Sequence, residues 1–288
     1  MRPPRYNARV PPHCSSQRLL GGRRSWPVKV LLVALIPACS GEPPRPPVPL
    51  PVLHQPALAF SPPPSARELG PVFSRLAPAS ASRQDARLRR SLLAHLAAIA
   101  AVGPGTRPES FPSQRDVLAY LVNAHMAWAV ALATEPRLAT LPPLARRAIP
   151  FTLDGTTTTL EALAAMIIQL APAEPRFVLF LNPGLAAGPP LPPWPLEGHA
   201  LAWQLEQHAR TCGAQRSFWD LDEGRRELRL SAFAGHMPGL PPTAAGRALR
   251  LLELVPPPPP VRDRILTVCG PTLQRCTHTL APLDPAPW

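Results

Sequence analysis

Proline constrains the folding of this chain more than any other residue type. The 288 residues include 45 prolines, about three times ordinary usage. Many of them lie in residues 43–64 (PPRPPVPLPVLHQPALAFSPPP) and residues 255–260 (VPPPPP). Proline lacks an N–H and has a locked φ, so neither stretch is expected to form a regular helix or a central strand. We therefore predict one compact domain over residues 86–255, between a proline-rich tether (39–65) and a loosely ordered tail (256–288).

The N-terminal residues have the order of an export signal. Basic residues come first, an apolar run follows from Val30 to Ile36, and small residues then lead to Cys39. We predict that residues 1–38 are a signal peptide, because the apolar run is too short to span a bilayer. The ending Ile36-Pro37-Ala38-Cys39 resembles a bacterial lipobox, which implies a lipid on Cys39, and Ser40 then favours the outer membrane.

This pattern predicts an outer-membrane lipoprotein that faces the periplasm or the cell surface, with the membrane as its partner through Cys39. The alternative is a secreted or periplasmic protein with an ordinary signal, in which Cys39 is incidental. In the first case the proline-rich residues make a stiff, extended tether that holds the domain off the membrane.

The charge of the chain does not indicate a nucleic-acid partner. The formal net charge is +12, but seven of the 30 basic residues and none of the 18 acidic ones precede Cys39. Removal of the leader leaves 23 basic against 18 acidic residues, a net charge of +5. The body has no basic cluster interleaved with aromatic residues, so we expect no nucleic-acid binding.

Three cysteines follow the leader and the anchor: Cys212, Cys269 and Cys276. In an oxidising compartment Cys269 and Cys276 could form a disulfide that closes a short loop, and the other reading is that all three are free thiols. A metal site at Cys269, Cys276 and His278 would lack a fourth ligand and the usual spacing. We expect no metal and no cofactor.

The body of the chain alternates helical and strand patterns. Ser113, with Asp116 three residues later, predicts the start of a long helix with a broad apolar stripe. Asp154-Gly155 predicts a hairpin turn, and a second hairpin is expected to turn at Asp222-Glu223-Gly224. The apolar run Phe177 to Leu181 is typical of a buried strand. Helices outnumber strands, so we predict a single, mixed, helix-rich α+β domain with short strands and hairpins packed on helices. Further helices are expected in residues 86–103, 160–170, 195–213 and 243–255.

Six segments between roughly residues 88 and 237 carry motifs in a set order: AYLVNAHMA (119–127), FTLDGTTTTLEALAAMI (151–167), EPRFVLFL (174–181), GPPL (188–191), ALAWQLEQHAR (200–210) and LRLSAFAGHM (228–237). Together and in this order they resemble the domain of unknown function 547 family. The resemblance implies a site in which a loop cysteine and a Glu-His pair form a cysteine-hydrolase centre.

This chain differs from the family at those positions. Gly188 stands at the loop cysteine, Ala164 and Ala165 stand at the Glu-His pair, and His125 replaces the tyrosine of the first helix, where only Asn123 is retained. Glycine and alanine can neither attack a carbonyl nor accept a proton. The resemblance therefore predicts that Gly188 and Ala165 face each other across a degenerate site.

From these observations we expect an exported, non-catalytic binding or scaffolding module with an envelope ligand or protein as its partner. The alternative is an active cysteine-dependent hydrolase or transferase that uses relocated residues. His208 and Cys212, four residues apart on one predicted helix face, would be its nucleophile pair, with His125 as a further candidate. A third reading is a structural envelope protein without a ligand.

Overall fold

The computed structural model describes residues 69–76, 86–185 and 188–281, all within one compact unit. The predicted signal peptide (1–38) and the tether with Cys39 (39–65) lie outside the described residues. Within the described ranges the helices are α1 (Leu69–Leu76), α2 (Ala86–Ala101), α3 (Gln114–Thr134), α4 (Pro143–Arg146), α5 (Leu160–Leu170), α6 (Leu201–Gly213), α7 (Ala244–Leu254) and α8 (Pro259–Cys269). The strands are β1 (Phe151–Leu153), β2 (Thr156–Thr158), β3 (Trp219–Asp222), β4 (Glu227–Leu230) and β5 (Thr277–Leu280).

Helix α3 is the centre of the core. Its N-terminus has the predicted capping box, in which the Ser113 side chain accepts from the Asp116 N–H and the Asp116 carboxylate accepts from the Ser113 N–H. In the described part of the chain α3 alone is long and apolar enough to cross a membrane, with a mean hydropathy of 1.5. However, 72% of its most apolar window is buried in the domain, as expected of a core helix around which α1, α2 and α5 pack.

Two small sheets pack against the helices, which confirms the predicted α+β class. Strands β1 and β2 form an antiparallel hairpin that turns at Asp154 and Gly155, whose φ values of 51° and 71° are those of a type I′ turn. In the other sheet, β3 pairs antiparallel with β4, and β4 pairs parallel with β5. The turn between β3 and β4 follows Asp222, as predicted.

The strand predicted over Phe177 to Leu181 is wrong. Pro175–Phe180 forms a 3-10 helix, and its first turn is capped by the Glu174 side chain, which accepts from the Arg176 N–H and its guanidinium. Residues Phe177, Val178, Leu179 and Phe180 are all buried. A short apolar run that is buried on every side has the same sequence pattern as a strand or as a helical turn, so tertiary packing decides between them.

The loosely ordered tail predicted over residues 256–288 is also wrong for most of its length. The prolines of residues 259 and 260 occupy the first turn of α8, where a missing N–H costs no hydrogen bond. Ile265 and Cys269 of α8 are fully buried, and a disulfide joins Cys269 to Cys276 just before β5. The domain therefore continues at least to Ala281, whose N–H donates to the Leu230 carbonyl.

The domain also begins earlier than the predicted residue 86. Leu69, Val72 and Phe73 of α1 are buried against α2 and α3. The described part of the domain thus extends from Leu69 to Ala281, with gaps at residues 77–85 and 186–187.

Candidate functional site

Ala164 and Ala165 of α5 line an open cleft of about 280 Å³. The other walls come from α4, from the 3-10 helix Pro175–Phe180 with the loop after it, and from the turn that carries Phe233 and His236. Ala165 is exposed and Ala164 is half-buried, so small side chains at these two positions keep the cleft open. Its lining residues are Leu144, Arg147, Glu161, Ala164, Ala165, Ile168, Val178, Leu181, Pro183, Leu185, Phe233 and His236.

Three of the lining residues carry polar or charged side chains. Arg147 and Glu161 form a loose ion pair, with 3.9 Å between Nη2 and Oε1, and both side chains are partly exposed. The backbones of the same two residues are joined, because the Glu161 N–H donates to the Arg147 carbonyl at 3.3 Å. The exposed imidazole of His236 completes the set. A long, exposed ion pair contributes little stability, so Arg147 remains available to an anionic group.

Gly188 does not stand open at this cleft. A Cβ built on Gly188 would lie 2.3 Å from Nδ2 and 2.6 Å from Cγ of Asn182, a fully buried residue. The space that a Cβ at residue 188 would need is therefore occupied by the Asn182 carboxamide. The Gly188 N–H donates to the carbonyl of Leu185, which does line the cleft. Glycine at this position is required by the packing of its own loop.

Three buried carboxamides hold the proline-rich loop of residues 182–197. Asn182 donates to the Leu185 and Pro189 carbonyls and accepts from the N–H groups of Gly184 and Leu185. Prolines have no N–H for backbone pairing, so side-chain amides satisfy the backbone of this loop instead.

Asn123 of α3 and Gln204 of α6 act in the same way. Asn123 exchanges two hydrogen bonds of 2.8 Å with the backbone of Leu196. Gln204 donates to the Pro195 carbonyl and accepts from the Glu197 N–H. Asn123 thus positions the loop. Sequence reasoning missed the roles of Asn182 and Gln204, and their only local signal is an amide residue beside a proline-rich segment.

His208 and Cys212 do meet, but inside the core. Their Nε2 and Sγ atoms are 3.6 Å apart, and the two residues are 1% and 0% exposed. Nε2 is also 3.2 Å from the Leu179 carbonyl oxygen, which can only accept, so the neutral imidazole carries its proton on Nε2 and has no lone pair there for the thiol proton.

Burial sets the protonation of this pair. Desolvation lowers the pKa of His208 to about 4 and raises the pKa of Cys212 to about 12. At neutral pH the pair is a neutral imidazole and a protonated thiol, whereas a cysteine nucleophile must be a thiolate that a substrate can reach. His208 and Cys212 therefore form a packing contact in the core.

His125 of α3 is also buried, with 2% of the residue exposed. Desolvation, followed by the charge of Arg147, lowers its pKa to about 3, so the imidazole is neutral. Its Nδ1 has no hydrogen-bond partner among the described residues.

A second, larger concavity of about 550 Å³ lies between the end of α6, β3 and α8. Its polar lining includes Arg216, Asp220 and Arg264, and the last of these forms an ion pair with Glu223. None of the predicted site residues lines it. Within the described ranges, no group of three or more His, Cys, Asp or Glu side chains is placed to hold a metal ion.

The five positions of the predicted degenerate site thus have separate surroundings. Ala164 and Ala165 share the cleft, Gly188 packs on Asn182, Asn123 binds the loop backbone, and His125 is sealed in the core. No family model, curated protein or solved structure matches this chain. The resemblance to the domain of unknown function 547 family stays a prediction.

Proposed function

We propose that this protein is a non-catalytic binding module of the cell envelope, exported and held at the outer membrane through a lipid on Cys39. Its cleft accepts a ligand with an apolar body and a single carboxylate. The observation that carries the proposal is the cleft between α4 and α5, which combines an apolar lining with one loosely paired arginine.

The chemistry of the lining favours binding over covalent catalysis. Seven of the twelve lining residues are leucine, isoleucine, valine, proline or phenylalanine, and two more are alanine. None of these described lining residues is a serine, threonine, cysteine, lysine or tyrosine, so the lining offers no hydroxyl, thiol or amine nucleophile. Ligand pockets are typically lined by apolar side chains with a few polar groups that orient the ligand.

Arg147 is the group that would orient the ligand. Its guanidinium presents several donors in a planar fork that matches a carboxylate, and its only ion pair among the described residues is the 3.9 Å contact with Glu161. A ligand carboxylate at hydrogen-bond distance would replace that long contact with shorter, charge-assisted bonds.

Export is supported by two independent features of the chain. The order of basic, apolar and small residues before Cys39 is that of a signal with a lipobox. The Cys269–Cys276 disulfide is typical of proteins that leave the reducing cytosol. If Cys39 carries the anchor, a Cys39→Ser variant will appear in the soluble fraction of fractionated cells. Retention of that variant on membranes would contradict the anchor and leave the cleft proposal standing.

The cleft is tested with dansyl-aminooctanoic acid and its uncharged methyl ester, whose emission rises on entering an apolar site. We expect saturable binding, with the acid about tenfold tighter than the ester because one charge-assisted hydrogen bond contributes about 1.5–3 kcal/mol. The Arg147→Gln variant should bind acid and ester equally.

A pair of variants on one helix supplies the matched control. Ala165→Phe fills the cleft and should abolish binding, whereas Ala162→Phe adds the same group at an exposed position of α5 that does not line the cleft. Equal loss of binding in both variants, or no saturable binding to the unmodified chain, would refute the proposed ligand class.

A further inference from the structure

Two tryptophans, Trp194 in the proline-rich loop and Trp203 of α6, form a partly exposed aromatic surface. Trp203 of α6 is 58% exposed, and its ring centroid lies 6.3 Å from that of the half-buried Trp194. Pro193 beside them is exposed. We call Pro193, Trp194 and Trp203 the tryptophan ridge. A contiguous apolar patch on the surface is a candidate interaction site.

The ridge is held in place from beneath. The neighbouring Pro195 carbonyl accepts from Gln204, and Leu196 exchanges two hydrogen bonds with Asn123. The edge of the Trp194 ring packs against the buried imidazole of His208, with 6.3 Å between the ring centroids. Because these contacts order Trp194 in advance, a ligand on the ridge does not have to bear the full entropy of ordering it.

The N-terminal segment of the chain enters the domain beside this ridge. A Cβ built on Gly70, at the start of α1, would lie 3.5 Å from the Pro193 carbonyl oxygen and 3.8 Å from Cδ of Pro195. Gly70 is therefore a direct neighbour of the residues that flank Trp194. Five Cα–Cα steps separate Pro64 from Leu69 at the start of α1, a length of at most about 18 Å.

We propose that residues 56–64 (PALAFSPPP) dock on the tryptophan ridge of the same molecule as a polyproline II segment. Such a helix repeats every three residues and has no internal hydrogen bonds, so its prolines and carbonyls face outward and are free to bind. Proline-rich segments are recognised in this form by surfaces lined with aromatic side chains.

The chemistry of the ridge complements that of the segment. Proline rings pack flat against indole faces, and proline-rich backbone offers carbonyl acceptors with few donors. Neither the Trp194 nor the Trp203 indole N–H has an acceptor among the described residues, so both can donate to those carbonyls. Because segment and ridge belong to one chain, the effective concentration is in the millimolar range and a weak contact suffices.

Docking would set the geometry of the domain on its anchor. With residues 56–64 held on the ridge, only residues 39–55 separate the docked segment from Cys39. The free part of the tether is then shorter than the whole proline-rich stretch, and the face of the domain that bears the tryptophan ridge is turned toward Cys39. This inference does not rest on the cleft or on its ligand.

The proposal is tested first by limited proteolysis of the full chain carrying Cys39→Ser. Chymotrypsin cleaves after Phe60, which docking would protect. Trp203→Ala should raise the initial rate of cleavage at Phe60 by about fivefold, as expected for the loss of one aromatic contact. Leu249→Ala, which removes a 38% exposed side chain from α7, is the matched control and should leave the rate unchanged.

The second test observes the ridge and does not depend on cleavage. In chains labelled with 5-fluorotryptophan, replacing Pro62, Pro63 and Pro64 together by alanine should shift the fluorine resonances of Trp194 and Trp203. The resonance of the buried Trp219 should not move. Unchanged cleavage together with unchanged ridge resonances would overturn the proposal. Protection that disappears on dilution would also overturn it, because the segment would then occupy the ridge of a second copy.

Discussion

Replacing Gly188 by alanine should destabilise the domain by about 2–4 kcal/mol, although the residue is only half-buried. The added methyl group would lie 2.3 Å from Nδ2 of Asn182, closer than any real contact. The Asn182 amide cannot simply swing aside, because it is fully buried and makes four hydrogen bonds of 2.8–3.1 Å to its own loop.

The magnitude follows from that count. Each buried hydrogen bond contributes a net of about 1 kcal/mol, and a displaced amide leaves the N–H groups of Gly184 and Leu185 unsatisfied. Loss of two to four of these hydrogen bonds gives the predicted destabilisation of about 2–4 kcal/mol. The assay is urea unfolding followed by far-UV circular dichroism, with Gly224→Ala as the control, since its Cβ would meet only Asp222 Oδ1 at an ordinary 3.5 Å.

A double-mutant cycle separates this mechanism from general loop damage. Asn182→Ala alone should destabilise the domain, and Gly188→Ala should then cost little more, because the atoms it would strike are gone. Additive effects, or a Gly188→Ala variant as stable as the Gly224→Ala control, would refute the argument. The same clash predicts that Gly188→Cys destabilises the loop, so a cysteine placed there presents no exposed thiol in an intact loop.

Three further outcomes are expected. Burial lowers the pKa of His125 to about 3 and that of His208 to about 4, whereas an unfolded histidine has a pKa of about 6.5, so below that pH the unfolded state binds more protons. The free energy of unfolding should therefore fall between pH 6.5 and 4, by about 2 kcal/mol per histidine at pH 5 in urea titrations. His208→Gln should flatten that pH dependence. A pH-independent midpoint over this window would contradict the neutral, buried assignment. Replacing Cys269 and Cys276 by serine should cost about 2–3 kcal/mol, as expected for opening a short cross-linked loop, and an unchanged urea midpoint would argue against the disulfide. Cys212 should react with an aromatic disulfide reagent only after unfolding, at the rate of unfolding, whereas rapid labelling of the native chain would revive the hydrolase hypothesis.

Much of the secondary structure could be predicted because its signals are local. The capping box of Ser113 and Asp116 joins groups three residues apart, and it forms as predicted. The turn at Asp154 and Gly155 is specified by two residues that tolerate positive φ. These elements form through contacts between residues that are close together in the sequence.

The failures share a different cause. The run that begins at Phe177 is apolar whether it forms a strand or a 3-10 helix, and only its burial among other elements selects the helix. The tail after Val255 has too many prolines to predict an ordered structure, yet they fit the first turn of α8, and β5 finds its partner in β4, about fifty residues earlier.

The same division between local and long-range signals holds for the candidate site. The sequence alone predicted a helix-rich α+β domain and established that small residues stand at Ala164, Ala165 and Gly188, and its export signal stays a prediction. Only the tertiary structure decided that the two alanines border a cleft while Gly188 packs on Asn182. The reason is distance along the chain: caps and turns join near neighbours, whereas the cleft brings together residues as far apart as Leu144 and His236, and Asn123 bonds to Leu196, 73 positions away.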